Sequence, residues 1–138
     1  MSKKKPLIIF EGIESSGKTT LINYVSKFLN KKKINHIKIR EPGGNKNAEL
    51  IRKLILNNKI KFNSFTDLML YFAARSENIE KIINKYYNKK IILIDRFTDS
   101  TIAYQHYGMG LNKSLIININ KFLLKNIKPQ IIFLNLVN

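Results

Sequence analysis

Gly12-Ile13-Glu14-Ser15-Ser16-Gly17-Lys18-Thr19-Thr20 fits the pattern G-x-x-x-x-G-K-[ST], the phosphate-binding P-loop. Leu7-Ile8-Ile9-Phe10 leads into it, an apolar run of buried-strand type, and Leu21, Ile22, Val25, Phe28 and Leu29 follow at helical spacing. Strand, glycine loop and helix in that order are the context the motif requires, and a chance glycine turn would lack it. Gly12 and Gly17 let the backbone take conformations other residues resist, so that its N–H groups turn inward. Those groups and the helix N-terminus attract phosphate oxygens. Lys18 is placed to reach the β- and γ-phosphates, and the Thr19 hydroxyl to ligate Mg2+.

A chain of 138 residues is one domain at most, and 44% hydrophobic content is enough for a real core. No apolar run is long enough to span a bilayer. The start, Met1-Ser2-Lys3-Lys4-Lys5-Pro6, is basic, but the apolar run after it is too short for a signal peptide. Zero cysteine excludes disulfides and thiolate metal sites, and a cytoplasmic protein is the simplest reading. The formal charge of +16 points to anionic partners. The lysines are spread rather than striped and asparagine is enriched beside them, which favours compositional drift over a nucleic-acid-binding surface. Arg40, Arg52, Arg75 and Arg96 are the only arginines. A planar bidentate fork cannot be replaced by lysine, so these four mark positions where geometry matters.

Strand and helix patterns alternate. Strands are expected at about 7–11, 37–40 and 91–95, with a last β-like run over 131–137. Helices are expected at about 18–32, 48–56, 67–87, 100–106 and 114–125, the third opened by the capping-box pattern Ser64-Phe65-Thr66-Asp67. Glu41-Pro42-Gly43-Gly44 is a turn. The alternation predicts an α/β fold, a parallel sheet with helices on both faces. Ligands of such sheets bind beyond the carboxyl ends of the strands, where the P-loop, Arg40-Glu41-Pro42 and Asp95-Arg96 would converge.

Asp95 closes an apolar strand and can hold Mg2+ or its waters, as a Walker-B acid does; the bland alternative is a helix cap or a surface turn. Arg96 follows directly, and a guanidinium there clamps phosphates and neutralises developing charge. Tyr71 and Arg75, four apart on a helix, share a face. An aromatic plane beside a guanidinium suits a nucleobase, the one stacking and the other donating to a carbonyl oxygen. On spacing alone, core packing for Tyr71 and solvation for Arg75 compete with that assignment.

Phe10-Glu11-Gly12 into Ser16-Gly17-Lys18-Thr19-Thr20, then Arg40-Glu41-Pro42-Gly43-Gly44, then Leu70-Tyr71-Phe72-Ala73-Ala74-Arg75, then Asp95-Arg96-Phe97 with Ser100-Thr101 and Ala103-Tyr104-Gln105, resemble bacterial thymidylate kinase. The resemblance implies a single P-loop nucleoside monophosphate kinase domain over 1–138 and the reaction ATP + dTMP → ADP + dTDP. It implies that Gly12, Ile13, Glu14, Ser15, Ser16, Gly17, Lys18, Thr19 and Thr20 bind ATP with Mg2+, held by Thr19 and Asp95. Lys18, Asp95 and Arg96 would be catalytic. On the acceptor side it implies Glu14 at the deoxyribose 3′-hydroxyl, Arg40 and Pro42 at the pocket border, and Tyr71 stacked on thymine where the family usually has Phe. Arg75 would contact the base and Arg96 the acceptor phosphate. Ser100, Thr101, Tyr104 and Gln105 would line the nucleoside, Tyr104 crowding a ribose 2′-hydroxyl. The Glu41–Pro42 bond is a candidate cis peptide. A homodimer formed through helices is implied, without nucleic acid or membrane as partner.

The sequence departs from the family in stopping before the lid, so the domain reads as incomplete at its C-terminal end. No basic residue stands at Ile13, Glu14, Ser15 or Ser16 either. An arginine finger is worth roughly 10³–10⁵ in rate, so the expectation is a chain that binds dTMP better than it turns it over. Two other readings remain: another P-loop deoxynucleoside or nucleotide kinase, and a non-catalytic basic nucleic-acid-binding protein. Glu11, Glu14 and Asp95 in the crevice weigh against the last.

Overall fold

The computed structural model describes residues 4–137. Leu7–Glu11 forms β1, Lys18–Lys31 α1 and His36–Arg40 β2. Lys46–Ile55 is α2 and Ser64–Asn78 is α3, continued by a segment of widened i→i+5 turns over Ile79–Ile83 and by α4, Asn84–Tyr86. Ile91–Asp95 is β3 and Thr98–Thr101 is α5, followed by a second widened segment over Ile102–Gly108. Lys113–Leu124 is α6 and Ile131–Leu134 is β4.

The four strands lie in the order β2-β3-β1-β4, and every pairing is parallel. Side chains alternate across β1. Leu7 and Ile9 join Ile39, Ile92, Ile94, Ile79 and Ile83 on one face. Ile8 and Phe10 join Leu93 and the Ile22 and Leu29 side chains of α1 on the other. Two apolar clusters on opposite faces are what near-continuous hydrophobic strands demand. This is the α/β sheet covered on both sides that the alternation predicts. Among the described residues no helix is long and apolar enough to cross a membrane.

The carboxyl ends of the strands are tied to one another, which fixes the platform for a site. The Arg96 amide donates to the Phe10 carbonyl (2.9 Å), the Glu41 amide to the Asp95 carbonyl (2.9 Å) and the Asn135 amide to the Glu11 carbonyl (2.9 Å). Gly12 has φ 143, and a Cβ on it would lie 2.7 Å from the Asn135 carbonyl oxygen. That close approach explains why the loop begins on glycine.

Element bounds differ from the pattern-based ones mainly at helix starts. The long helix begins at Ser64, not Asp67, because Asn63 in extended conformation caps it, its Oδ1 accepting from the Thr66 amide (2.8 Å). The expected capping box is therefore displaced by a better acceptor one residue earlier. Asn45 in the same way starts α2 at Lys46, accepting from the amides of Asn47 and Ala48. The helix expected at 100–106 begins at Thr98, and the last strand has four residues rather than seven. The Glu41–Pro42 peptide is cis.

Candidate functional site

The loop 12–17 runs from β1 into α1, with Gly17 in left-handed conformation (φ 81) as the helix cap. Lys18 is buried, and its ammonium folds back over the loop. It donates to the carbonyl oxygens of Gly12 (2.8 Å) and Ile13 (2.6 Å) and to the Ser16 hydroxyl (3.3 Å). Burial pushes Lys18 below its ordinary pKa and Arg96 adds to this, while Asp95, Glu11 and Glu14 oppose it. Thr19 and Thr20 are exposed on the first turn of α1, and Ser15 holds a positive φ in the loop.

Beside the loop lies a cavity of about 160 Å³. Tyr71 and Arg75 of α3 line it together with Glu14 of the loop and Pro42 of the turn after β2. Arg96 and the segment that follows, with Ser100, Thr101, Tyr104 and Gln105, close the other wall. The i, i+4 pair on α3 thus shares one cavity with Arg96. Arg40 does not line it. Arg40 makes a bidentate pair with Glu49 (3.1 and 2.9 Å) and faces an adjacent recess with Thr19 and Asp95. The cavity wall is formed instead by Arg52 of α2, whose Nη1 donates to the Pro42 carbonyl (2.7 Å). The sequence singled out Arg52 only as one of four arginines. The turn of α2 that aims it inward leaves no mark in local spacing.

Arg75 is 2% exposed and is held from three sides. Its Nε donates to Glu41 Oε2 (2.7 Å), its Nη2 to Thr101 Oγ1 (2.9 Å) and its Nη1 to Asn120 Oδ1 of α6 (2.6 Å). Nη2 also lies 2.7 Å from Glu41 Oε2. Burial pushes the Glu41 carboxyl up, and the Arg75 guanidinium pulls against it. Tyr71 is half-buried, and burial raises its phenol so that it stays protonated, with Asp67 adding to the effect.

Arg96 has φ 65, a left-handed conformation uncommon outside glycine. Its guanidinium lies 5.3 Å above the Tyr104 ring and donates to the Tyr104 hydroxyl (3.3 Å) and the Ser100 hydroxyl (3.4 Å). Glu11 holds this turn in place. Its buried Oε1 accepts from the Phe97 amide (2.8 Å) and its Oε2 from the Ser100 hydroxyl. Pattern reading placed Glu11 in the crevice without this supporting role, and it missed Asn120 altogether. The available signal for Asn120 was its position four residues after Ile116 on an apolar helix face, with both side chains buried.

Asp95 Oδ1 is buried and has no hydrogen-bond partner. Asp95 and Thr19 both line the recess beside Arg40. Among the described residues no three His, Cys, Asp or Glu side chains cluster as a metal cage. Mg2+ keeps several waters and takes one or two carboxylates with substrate phosphates. An orphaned carboxylate oxygen and a hydroxyl are hard donors of the right kind.

The arrangement can take a flat ring bearing a hydrogen-bond acceptor, between Tyr71 and Arg75, and an anion near Arg52 and Arg96, next to a phosphate loop. The family model described as Thymidylate kinase matches residues 10–138. The chain belongs to the thymidylate kinase family. Relatives named Thymidylate kinase agree: one from Kosmotoga olearia is 38% identical over 125 residues, covering 90% of this chain and 60% of its own length. Another from Ruthia magnifica is 42% identical over 129 residues, covering 92% and 63%. A crystal structure of thymidylate kinase from Ehrlichia chaffeensis superposes with a TM-score of 0.85 at 39% identity, covering 98% of this chain and 74% of that one. The chain spans about six tenths of the length of the curated thymidylate kinases it matches.

Proposed function

We propose that this protein transfers the γ-phosphate of ATP to dTMP, giving ADP and dTDP. One observation carries the reading: Tyr71, Arg75, Arg52 and Arg96 line a single cavity beside the P-loop. The names of the relatives support the same acceptor.

In this reading Tyr71 stacks on the thymine ring and Arg75, which can only donate, meets a carbonyl oxygen of the base. Arg96 and Arg52 bind the acceptor phosphate, with Ser100 and Tyr104 holding Arg96 from behind. Thr101 and Gln105 complete the base end, and Glu14 and Pro42 the mouth. Lys18 exchanges the Gly12 and Ile13 carbonyls for phosphate oxygens of ATP. An oxygen of the dTMP phosphate then bonds to the γ-phosphorus, and the bond to the β–γ bridging oxygen breaks, leaving its electron pair on ADP. The acceptor is already ionised, so no strong general base is needed, and the work is positioning and charge neutralisation. Mg2+ bound with ATP supplies further positive charge, and Thr19 and Asp95 would hold it.

The same reading extends to a cytoplasmic homodimer that does not require nucleic acid or membrane. Leu50 and Leu54 of α2 and Phe65 of α3 are exposed apolar side chains suited to a second copy.

Calorimetric titration with dTMP, dUMP, thymidine and ATP, followed by an ADP-release assay, tests the assignment. dTMP and dUMP should bind within about two hundredfold of each other, since a methyl group is worth roughly 1–3 kcal/mol. Thymidine, lacking the anion, should bind at least about tenfold more weakly than dTMP, given the strength of charge-assisted hydrogen bonds. Thymidine binding as tightly as dTMP, or ADP release that ignores dTMP, would sink the proposal.

A further inference from the structure

We propose that Asn120 is a positioning residue that fixes how the Arg75 guanidinium donates, and through it which pyrimidine base the cavity takes. The inference rests on the assignment of the cavity to dTMP.

Asn120 is 6% exposed on α6, four residues after the fully buried Ile116. A buried amide on an apolar face is costly unless it is paired. Its partner is Arg75, 45 residues away in sequence, at 2.6 Å. A guanidinium has no acceptor, so the Asn120 atom facing it must be the carbonyl oxygen.

The donor inventory shows what that contact does. Of the five N–H groups, Nε donates to Glu41 and one on Nη2 to Thr101, and Nη2 also lies within ion-pair distance of Glu41 Oε2. One Nη1–H serves Asn120. The other Nη1–H, on the nitrogen that Asn120 holds, is the donor assigned to the base in this reading. Glu41 and Thr101 fix the Nε and Nη2 side, and α6 fixes the Nη1 side. An Nη1–H held at a set depth donates to the ring carbonyl of thymine or uracil. It repels the amino group that cytosine presents at the same edge. With Asn120 absent, Nη1 has two free N–H groups and no anchor, and the guanidinium can shift to suit either base.

Asn120→Leu, similar in size, removes the oxygen acceptor, and Asn120→Asp restores one. Affinities for dTMP, dCMP and ATP are measured by titration for each variant and the parent. The Leu variant should lose about tenfold or more in dTMP affinity, the scale of one hydrogen bond to a charged group. dCMP should change little, so the preference for dTMP narrows, and ATP should stay within about twofold as a check on folding. The Asp variant should recover most of the preference. If Asn120→Leu is insoluble, Asn120→Ala asks the same question with less steric demand. An unchanged dTMP-to-dCMP ratio overturns the inference alone, as does parallel weakening of all three nucleotides. A parent protein with no preference for dTMP over dCMP overturns the dTMP assignment as well.

Discussion

At the scale of single residues, the site depends on groups whose shape matters more than their charge. Arg75 reaches a carboxylate, a hydroxyl and an amide from three separate nitrogens of one rigid plane, a spread that the single nitrogen of an ammonium cannot cover. Arg75→Lys keeps the charge and loses the fork. Acceptor affinity should fall by about tenfold or more with ATP affinity nearly unchanged, and thermal denaturation should show a loss of about 1–3 kcal/mol from the disturbed buried pair. Equal loss of both nucleotides would remove Arg75 from the acceptor side. The pairing of Tyr71 with Arg75 was legible because i, i+4 spacing is a property of any helix. The exchange of Arg40 for Arg52 was not, because both flank the same turn and only the docking of α2 decides between them. Asn120 was hidden for a related reason: its partner lies on another helix, and one sequence carries no trace of a pairing 45 residues long.

At the scale of elements, the alternating apolar runs gave every strand of the sheet to within a few residues at each end. They misplaced helix starts, because three helices are capped by asparagine and the capping-box pattern drew attention away from Asn63. The widened turns over Ile79–Ile83 and Ile102–Gly108 were not legible, since helical spacing alone does not separate i→i+4 from i→i+5 bonding. One link between elements is sensitive to acid. Glu49 of α2 accepts from Arg40 at the end of β2 and from the Gly44 amide, and its carboxyl is held down to about 2 from an ordinary 4.5. The folded value lies below the unfolded one, so this link stabilises the fold above pH 4.5 and is lost as pH falls through about 2. The pair is partly exposed, so Glu49→Gln should cost about 1 kcal/mol or less by urea denaturation at pH 7. That difference should shrink steadily between pH 4.5 and 2. A gap that persists unchanged at pH 2 would assign the effect of Gln to something other than charge.

At the scale of the whole molecule, parallel pairing brings the carboxyl ends of three strands to one edge of the sheet, so the P-loop, the Glu41–Pro42 turn and Asp95-Arg96 become neighbours without any being close in sequence. The apolar side chains left outside that framework bear on assembly. Leu50, Leu54 and Phe65 are 55%, 44% and 52% exposed. If they are the contact between two copies, sedimentation should give a dimer, and Leu54→Glu should shift it to monomer while ATP binding persists; an unshifted dimer would place the contact elsewhere. The P-loop lysine bears on nucleotide exchange in the proposed reaction. The ammonium of Lys18 already has three oxygens of its own neighbourhood to rest on. In the proposed reaction an arriving polyphosphate would compete with them, and on its departure they would take the cation back. The net grip on the nucleotide would then be a difference between two good fits, favouring quick exchange of a spent donor over tenacious retention.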